Sequence, residues 1–315
     1  MLQAVLADFR AWGAVHTITT LDQRVANLLL PVDELIAVAP GQHADIFAAL
    51  LAHCDAALII APETDGILAR LNAIAQGAGV RLLGSSPQAV THAGDKWTCY
   101  QSFLHAGLPT PTTRLTLFAD AGPTSCEMGY PLVAKPVDGV GCEGVCLVTN
   151  EAELDAALVI LRQATRHDKI ILQSFVDGTH ASVSLLVAHG QALPVSLNGQ
   201  AVEAGRPFVY RGGCVPLLHP SAARALAVAQ AAVDLLPGLQ GYVGVDLVLT
   251  NQEAWLMEIN PRLTTTYIGL RQVIQLNLAQ AMWQACFEAR LPDRVSIHGQ
   301  VFFAKDELLK RGMMT

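Results

Sequence analysis

The segment WLMEINPR (255–262), with Asp246 twelve positions before Glu258, constrains this chain more than any other. GVDLVLT (244–250) and AWLMEI (254–259) read as two strands of a hairpin joined by the three-residue turn Asn251-Gln252-Glu253. That register sets 250 opposite 254, 248 opposite 256 and 246 opposite 258, so Asp246 and Glu258 face one another with Cβ atoms roughly 5 Å apart. Asn260 projects from the same face as Glu258, because side chains repeat every second residue. The opposite face collects Val243, Val245, Leu247, Leu249, Trp255, Met257 and Ile259, the pattern of a core face. Two carboxylates and an amide oxygen meeting at one point repel unless a cation lies between them. Hard oxygen ligands suit magnesium, which commonly shares its coordination with nucleotide phosphates. The plain alternative is a solvated surface hairpin, and a two-residue loop would shift the register by one and send Asp246 to the other face. The apolar residues along one face favour the register in which the acids converge.

The rest of the composition narrows the class. Of 315 residues, 52% are apolar and 15% charged, which excludes a disordered chain and leaves room for two or three compact units. A net charge of −7 argues against nucleic acid or an anionic membrane as the main partner. The longest apolar stretch, Ala48 to Ala61, is broken by His53 and Asp55, so no segment is expected to span a bilayer. The N-terminus shows no basic region followed by an apolar stretch and a cleavage site, and a cytoplasmic location is the expectation. Seven cysteines are scattered without a Cys-x-x-Cys pair, which fits reduced thiols and not structural zinc. Cys142 and Cys146 read as small residues of a glycine-rich stretch.

Along the first ninety residues, strands at 15–19, 34–39, 56–62 and 80–84 alternate with helices from about His43 and over about Thr64 to Gln76. This spacing predicts a parallel sheet with covering helices. GLPTPTT (107–113) reads as a linker after a helix that includes Lys96. YPLVAKP (130–136) and GVCLV (144–148) form a predicted hairpin. Asn150 caps the next helix with Glu153 three residues on, and Leu154, Leu158 and Leu161 mark its buried stripe. KIILQSFVDG (169–178) is the next strand, followed by antiparallel strands, a helix near 221–235 and the acidic hairpin. The tail from about Asp293 carries no assignable pattern, and there is no internal repeat.

DGVGCEG (138–144) contains G-x-G-x-x-G at Gly139, Gly141 and Gly144, yet it joins strand to strand, where a dinucleotide-binding fingerprint runs from strand into helix. A glycine-rich hairpin turn instead suits a flap over phosphates, because backbone N–H groups can approach oxygen closely there. Only five lysines stand against fifteen arginines, and Lys135 sits on an otherwise apolar strand entering this loop. It is either an edge residue that snorkels or a counter-charge for phosphate. Lys96 is the second such candidate, with an exposed helix position as its alternative.

The order DK (95–96), VAKP with its glycine loop, LQSFVDG, GVDLVL and MEINPR resembles the ATP-grasp family of ATP-dependent carboxylate–amine ligases over almost the whole chain. The resemblance implies an N-terminal parallel α/β domain (1–92) followed by two α+β lobes enclosing ATP (93–178 and 179–315). It implies phosphate contacts from Lys96 and Lys135, a flap at Gly139, Gly141 and Gly144, and an adenine site at Gln173, Phe175 and Val176. Magnesium, with manganese as the alternative ion, is implied at Asp246, Glu258 and Asn260. Two departures stand out. Where the family commonly has a ribose-binding acid the chain has His180, leaving Asp177 as the substitute. Where some members carry an arginine before the first metal acid, this chain has Gly244.

Within the family, APETDGIL (61–68), YRGGCVPLLHP (210–220) and EINPRLTTTYIGL (258–270) look similar to the branch containing tyramine–glutamate ligase, which serves methanofuran biosynthesis. That likeness implies a small-molecule carboxylate and an amine as substrates, glutamate with tyramine or tyrosine first among them. The implied chemistry is γ-phosphoryl transfer to the carboxylate and attack by the amine. Arg262 is the candidate for orienting the acyl phosphate. Arg211 is the candidate for holding the substrate carboxylate, with a structural salt bridge as its alternative. Glu63 could bind the amine or serve as the first acid of the following helix. A nucleotide-binding sensor without turnover, and transfer to a non-amine acceptor, remain open readings. A homodimer stays open as the assembly.

Overall fold

The computed structural model describes residues 1–25 and 27–305. The chain opens with a helix that the sequence reading left unassigned, α1 (Leu2–Trp12), whose buried face carries Val5, Leu6, Asp8 and Phe9. The signal was present as apolar residues at helical spacing. β1 (Ile18–Asp22) then pairs in parallel with β2 (Glu34–Val38), and after α2 (His43–Leu51) β3 (Ala56–Ala57) pairs in parallel with β4 (Arg81–Leu82). The expected parallel strands are therefore present, but as two short two-stranded sheets. α3 (Ile67–Gly77) starts later than the spacing predicts. Asp65 (φ 55°) and Gly66 (φ 65°) take left-handed conformations in a 3-10 turn over Thr64–Gly66, and the α-helix begins beyond it.

Two helices lead out of this region, α4 (Pro87–Gly94) and α5 (Lys96–His105). They are separated by Asp95, whose carboxylate caps α5 by accepting the Thr98 N–H at 2.9 Å. β5 (Thr113–Leu117), α6 (Ala121–Met128), β6 (Leu132–Pro136), β7 (Cys146–Val148), α7 (Glu151–Ala164) and β8 (Lys169–Ser174) follow, and their strands form an antiparallel sheet in the order β5-β8-β6-β7. Asn150 caps α7 through the Glu153 N–H, while the Glu153 carboxylate reaches one residue further back than a standard capping box, to the N–H and hydroxyl of Thr149. Leu154 and Leu161 are buried against this sheet and Leu158 is partly so.

The largest sheet takes β9 (Thr179–Ala188), β10 (Gln191–Glu203), β11 (Val209–Val215), β12 (Gly241–Leu249) and β13 (Ala254–Asn260), with α8 (Ala222–Asp234) packed on it. α9 (Tyr267–Val273) and α10 (Leu278–Phe287) follow, and β14 (Val301–Ala304), within the tail that the sequence left unassigned, adds an edge strand beside β11. The order is β13-β12-β9-β10-β11-β14. α1 docks here through Asp8, whose carboxylate accepts hydrogen bonds from the Tyr267 hydroxyl (2.6 Å) and Arg271 Nη2 (2.7 Å). No described helix is long and apolar enough to cross a membrane.

The acidic hairpin differs from its predicted register in an instructive way. Its turn is the two-residue one, closed by the Thr250 N–H on the Glu253 carbonyl at 2.9 Å. Leu249 therefore pairs with Ala254, Val248 with Trp255 and Leu247 with Leu256. Continued, that register would set Asp246 opposite Met257. A β-bulge between Asp246 and Leu247 absorbs one residue, so that Asp246 pairs with Glu258 and Gly244 with Asn260. The bulge also corrects the expected core face. Leu256, not Trp255 or Met257, is buried with Val243, Val245, Leu247, Leu249 and Ile259, and Met257 lines the cleft on the other side.

Candidate active site

A cleft of about 130 Å³ lies between the four-stranded and six-stranded sheets. Its walls include Lys96, Lys135, Gly139, Gly141, Gln173, Phe175, Val176, His180, Asp246 and Glu258, so most of the residues singled out from the sequence converge there. A larger open groove of about 890 Å³ runs along α1, but no carboxylate lines it. Chemistry, not size, distinguishes the smaller cleft.

Lys96 is the first residue of α5, a place where the helix dipole disfavours a cation. Glu258 compensates, with Nζ to Oε2 at 2.8 Å, and Nζ also donates to the Gly139 carbonyl at 2.6 Å. The Lys96 backbone N–H donates to the Val137 carbonyl at 3.0 Å, so the start of α5 is tied to the base of the glycine loop twice. Lys135, 6% exposed, donates from Nζ to Gln173 Oε1 at 2.9 Å, and the Gln173 amide donates onward to Thr113 Oγ1. Burial lowers Lys135 to about 8, with the Lys96 charge adding to the shift and Glu258 opposing it. Lys96 is raised despite its burial because the Glu258 carboxylate outweighs desolvation.

The two acids are driven apart. Burial, and then the adjacent Glu258 carboxylate, raise Asp246 far above the usual carboxylate range. Glu258 is as buried, yet Lys96 and Lys135 hold it below that range. Asp246 also accepts hydrogen bonds from Gln200 Nε2 at 3.0 Å and Asn260 Nδ2 at 3.2 Å. Two buried carboxylates in contact cannot both stay ionised without added positive charge, and Lys96 supplies it for one of them. The Asn260 amide nitrogen faces Asp246 here, and a half-turn of the amide would set its oxygen beside the two carboxylates, an all-oxygen donor set that fits a hard divalent cation.

Other residues named from the sequence stand outside the cleft lining or differ in their surroundings. Arg211 is exposed, ion-paired with Glu203 at 3.0 Å, and does not line the cleft. A register irregularity in the β10–β11 pairing at this point turns Tyr210 toward the Asp246 side, where burial raises its phenol. Asp177 is exposed and outside the cleft, while His180 lines it, stands edge-on to Phe208 and is lowered by burial. Gly144 also lies outside it, at a positive φ of 70°, where a Cβ would come within 2.6 Å of Ala164 Cβ. Gly244 leaves no room for the arginine some relatives have there, since a Cβ would lie 2.5 Å from Thr264 Cγ2. Arg262 does not line the cleft itself and donates from Nε to Glu63 Oε2 at 2.9 Å. Gln200, Val202 and Phe208 line the cleft and were not singled out. Their signal was weak: Gln200 and Val202 alternate on a strand paired with its own sequence neighbours β9 and β11, Phe208 lies just before β11, and nothing local points to Asp246 on β12. Cys142, at the tip of the glycine loop, is pushed up to about 12 by burial and the nearby acids, which keeps it a thiol.

A family model for the ATP-grasp domain matches residues 93–266, and one for the pre ATP-grasp 3 domain matches residues 15–90. The chain belongs to the ATP-grasp family. It is 33% identical over 220 residues to the tyramine–L-glutamate ligase of Methanocaldococcus jannaschii, in agreement with the branch read from its motifs. That alignment takes in 69% of this chain and 58% of the archaeal ligase, so the chain spans less than two thirds of that relative's length. Among solved structures, a biotin carboxylase–β,γ-ATP complex from Campylobacter jejuni superposes with a TM-score of 0.81 at 18% identity, covering 94% of this chain and 71% of the other. The L-amino acid ligase of Bacillus licheniformis gives 0.72 at 18% identity, covering 92% and 74%. These two likenesses concern the fold, and they bear out the expected ATP-grasp architecture.

Proposed function

We propose that this ATP-grasp protein is an ATP-dependent ligase that joins a small-molecule carboxylate to an amine through an acyl phosphate. The observation that carries the reading is the set Asp246, Glu258 and Asn260 closed by Lys96. It joins a hard-cation donor set to a phosphate-sized positive charge in one cleft. Asp246, Glu258 and Asn260 would hold the metal, magnesium or manganese, and it would supply neutralisation of the phosphate charge. Lys96 and Lys135 neutralise the charge that develops on the transferred phosphoryl group. Gln173, Phe175 and Val176 line the adenine, and His180 stands where the ribose contact belongs. Gly139 and Gly141 cover the phosphates and exclude water, which would otherwise hydrolyse the acyl phosphate.

We further propose units at 1–92, 93–178 and 179–315, with the second and third enclosing the nucleotide. Likeness to tyramine–L-glutamate ligase supports L-glutamate as the carboxylate, tyramine as the amine, and a place in methanofuran-type cofactor biosynthesis. The test is ADP release with ATP and Mg²⁺ across a panel of amino acids and amines, L-glutamate with tyramine first. ADP that requires both substrates and yields the amide supports the reading. Bound nucleotide with no pair releasing ADP above a Glu258→Ala control sinks it.

A further inference from the structure

Glu63 is a buried acid with an incomplete set of partners. It sits at the end of the segment that follows β3, 7% exposed, with Gly94 of α4 pressed so close that a Cβ there would lie 3.1 Å from Glu63 Cβ. One carboxylate oxygen, Oε2, accepts from Arg262 Nε at 2.9 Å. The other, Oε1, is shielded from solvent and accepts a hydrogen bond from no described group. A buried carboxylate oxygen without a donor is rare, since it forfeits hydration and gains nothing in return.

The surroundings say what kind of donor is missing. The Glu63 charge acts on Lys96, which binds Glu258, so the Glu63 carboxylate lies within electrostatic reach of the charges proposed to surround the reacting phosphoryl group. Arg262, two residues beyond Asn260, is fixed at Nε by Glu63 and at Nη1 by the Leu263 carbonyl at 3.2 Å. Three cations, Lys96, Lys135 and Arg262, would repel an alkylammonium approaching this point. Asp246 and Glu258 are occupied with each other, Lys96 and Gln200. Glu63 is the acid there with an oxygen still to offer.

We propose that Glu63 and Arg262 form the subsite of the nucleophilic substrate, with Glu63 Oε1 accepting an N–H of a primary alkylammonium. This rests on the ligase reading above and extends it by placing the second substrate at the junction of the N-terminal region with the acidic hairpin. Arg262 holds the acceptor in place through its Nε contact with Glu63 Oε2. Oε1 then gives the amine both an orientation and a counter-charge beside the acyl phosphate.

The experiment separates the two half-reactions in the full-length protein. Hydroxylamine, small and uncharged at neutral pH, traps the acyl phosphate as a hydroxamate without using the subsite. Wild type and Glu63→Gln are compared with ATP, Mg²⁺ and the carboxylate found active by ADP release, once with hydroxylamine and once with tyramine. The expected result is hydroxamate formation within a few-fold of wild type, with a KM for tyramine raised roughly ten- to a hundredfold, the loss of one charge-assisted hydrogen bond. In the wild type, tyrosol, the neutral alcohol of the same shape, should inhibit with a constant at least tenfold above the KM for tyramine. If Glu63→Gln fails to fold, Glu63→Asp keeps the charge while withdrawing the oxygen, and should raise the same KM with hydroxamate formation retained.

Hydroxamate and amide formation falling together would mean that Glu63 acts on the acyl phosphate through Arg262, which overturns the assignment. An unchanged KM for tyramine in the variant, or tyrosol inhibiting the wild type with a constant near that KM, overturns it too. Absence of any carboxylate-dependent hydroxamate in the wild type would instead bring down the ligase reading, and this subsite with it.

Discussion

The ammonium of Lys96 lies 2.8 Å from the carboxylate of Glu258, with the two side chains 10% and 20% exposed. A cation placed for phosphate and an acid placed for metal thus neutralise each other. Either ligand arriving alone must displace half of this pair and leave the other half buried without a partner, which is strongly unfavourable. Nucleotide and metal arriving together replace both halves at once.

Lys96→Met should therefore act in opposite directions on the two ligands. Affinity for Mn²⁺ without nucleotide is expected to rise on the order of tenfold, because the competing ammonium is gone, while affinity for Mg·ATP falls by a similar factor. Titration calorimetry with each ligand checks both signs. A loss of Mn²⁺ affinity in the variant would contradict the competition.

Glu258→Gln removes a proposed metal ligand and leaves Lys96 buried without its acid. ADP release is expected to drop on the order of a thousandfold, and thermal stability should fall as well. Adding Lys96→Met to that variant should restore stability without restoring ADP release. Recovery of both in the double variant would remove Glu258 from the reaction.

Lys135 predicts a pH dependence whose sign follows from its lowered value of about 8. Phosphate needs the charged form, and the nucleotide-free protein loses that charge as pH rises through about 8. The dissociation constant for ATP should be flat below this point and weaken above it, approaching tenfold per pH unit. Lys135→Gln should bind weakly at every pH and lose the dependence. Stability responds with the opposite trend. The unfolded chain holds this proton up to about 10.5, so the destabilisation from charging a buried lysine is complete below about 8 and is relieved as pH climbs toward 10.5.

Asp138 anchors the base of the glycine loop. Its carboxylate accepts the Asp65 N–H at 2.8 Å and lies 3.2 Å from His167 Nε2, while its carbonyl accepts the Thr64 hydroxyl at 3.2 Å. The cleft beneath is small against the roughly 300–1,000 Å³ of ordinary ligand sites, and we predict that the loop opens to admit a nucleotide. Asp138→Ala should raise KM for ATP several-fold and speed proteolysis within 139–144, with little change in overall unfolding temperature. An unaltered cleavage rate would show that other contacts hold the loop.

Much of this site is legible in the sequence because its parts are local. Asp246, Glu258 and Asn260 share one hairpin, and Lys135 and its glycines share another. What escaped is what distant segments contribute. Gln200 reaches Asp246 from β10, and nothing near position 200 announces that neighbour. Arg211, a candidate for the substrate carboxylate with a salt bridge as its alternative, sits on a strand beside Glu203, a pairing that depends on the ladder and not on the local sequence. α1 carries regular apolar spacing but no capping signal that marks its start, and its acid, Asp8, finds its partners more than 250 residues away.

The bulge beside Asp246 settles a matter of parity. An odd number of residues separates Asp246 from Glu258, and a two-residue turn can accommodate only an even number between paired positions. Met257 is the remainder. Deleting it should leave Asp246 opposite Glu258 and Leu256 in the core, with a regular ladder and ADP release largely retained. Deleting Trp255 should instead turn Leu256 toward the cleft and unfold the hairpin, and thermal melts of the two variants would separate the cases. The acid pair is thus protected by counting: this hairpin can lengthen or shorten only in even steps, or once by a single residue if it gives up its bulge.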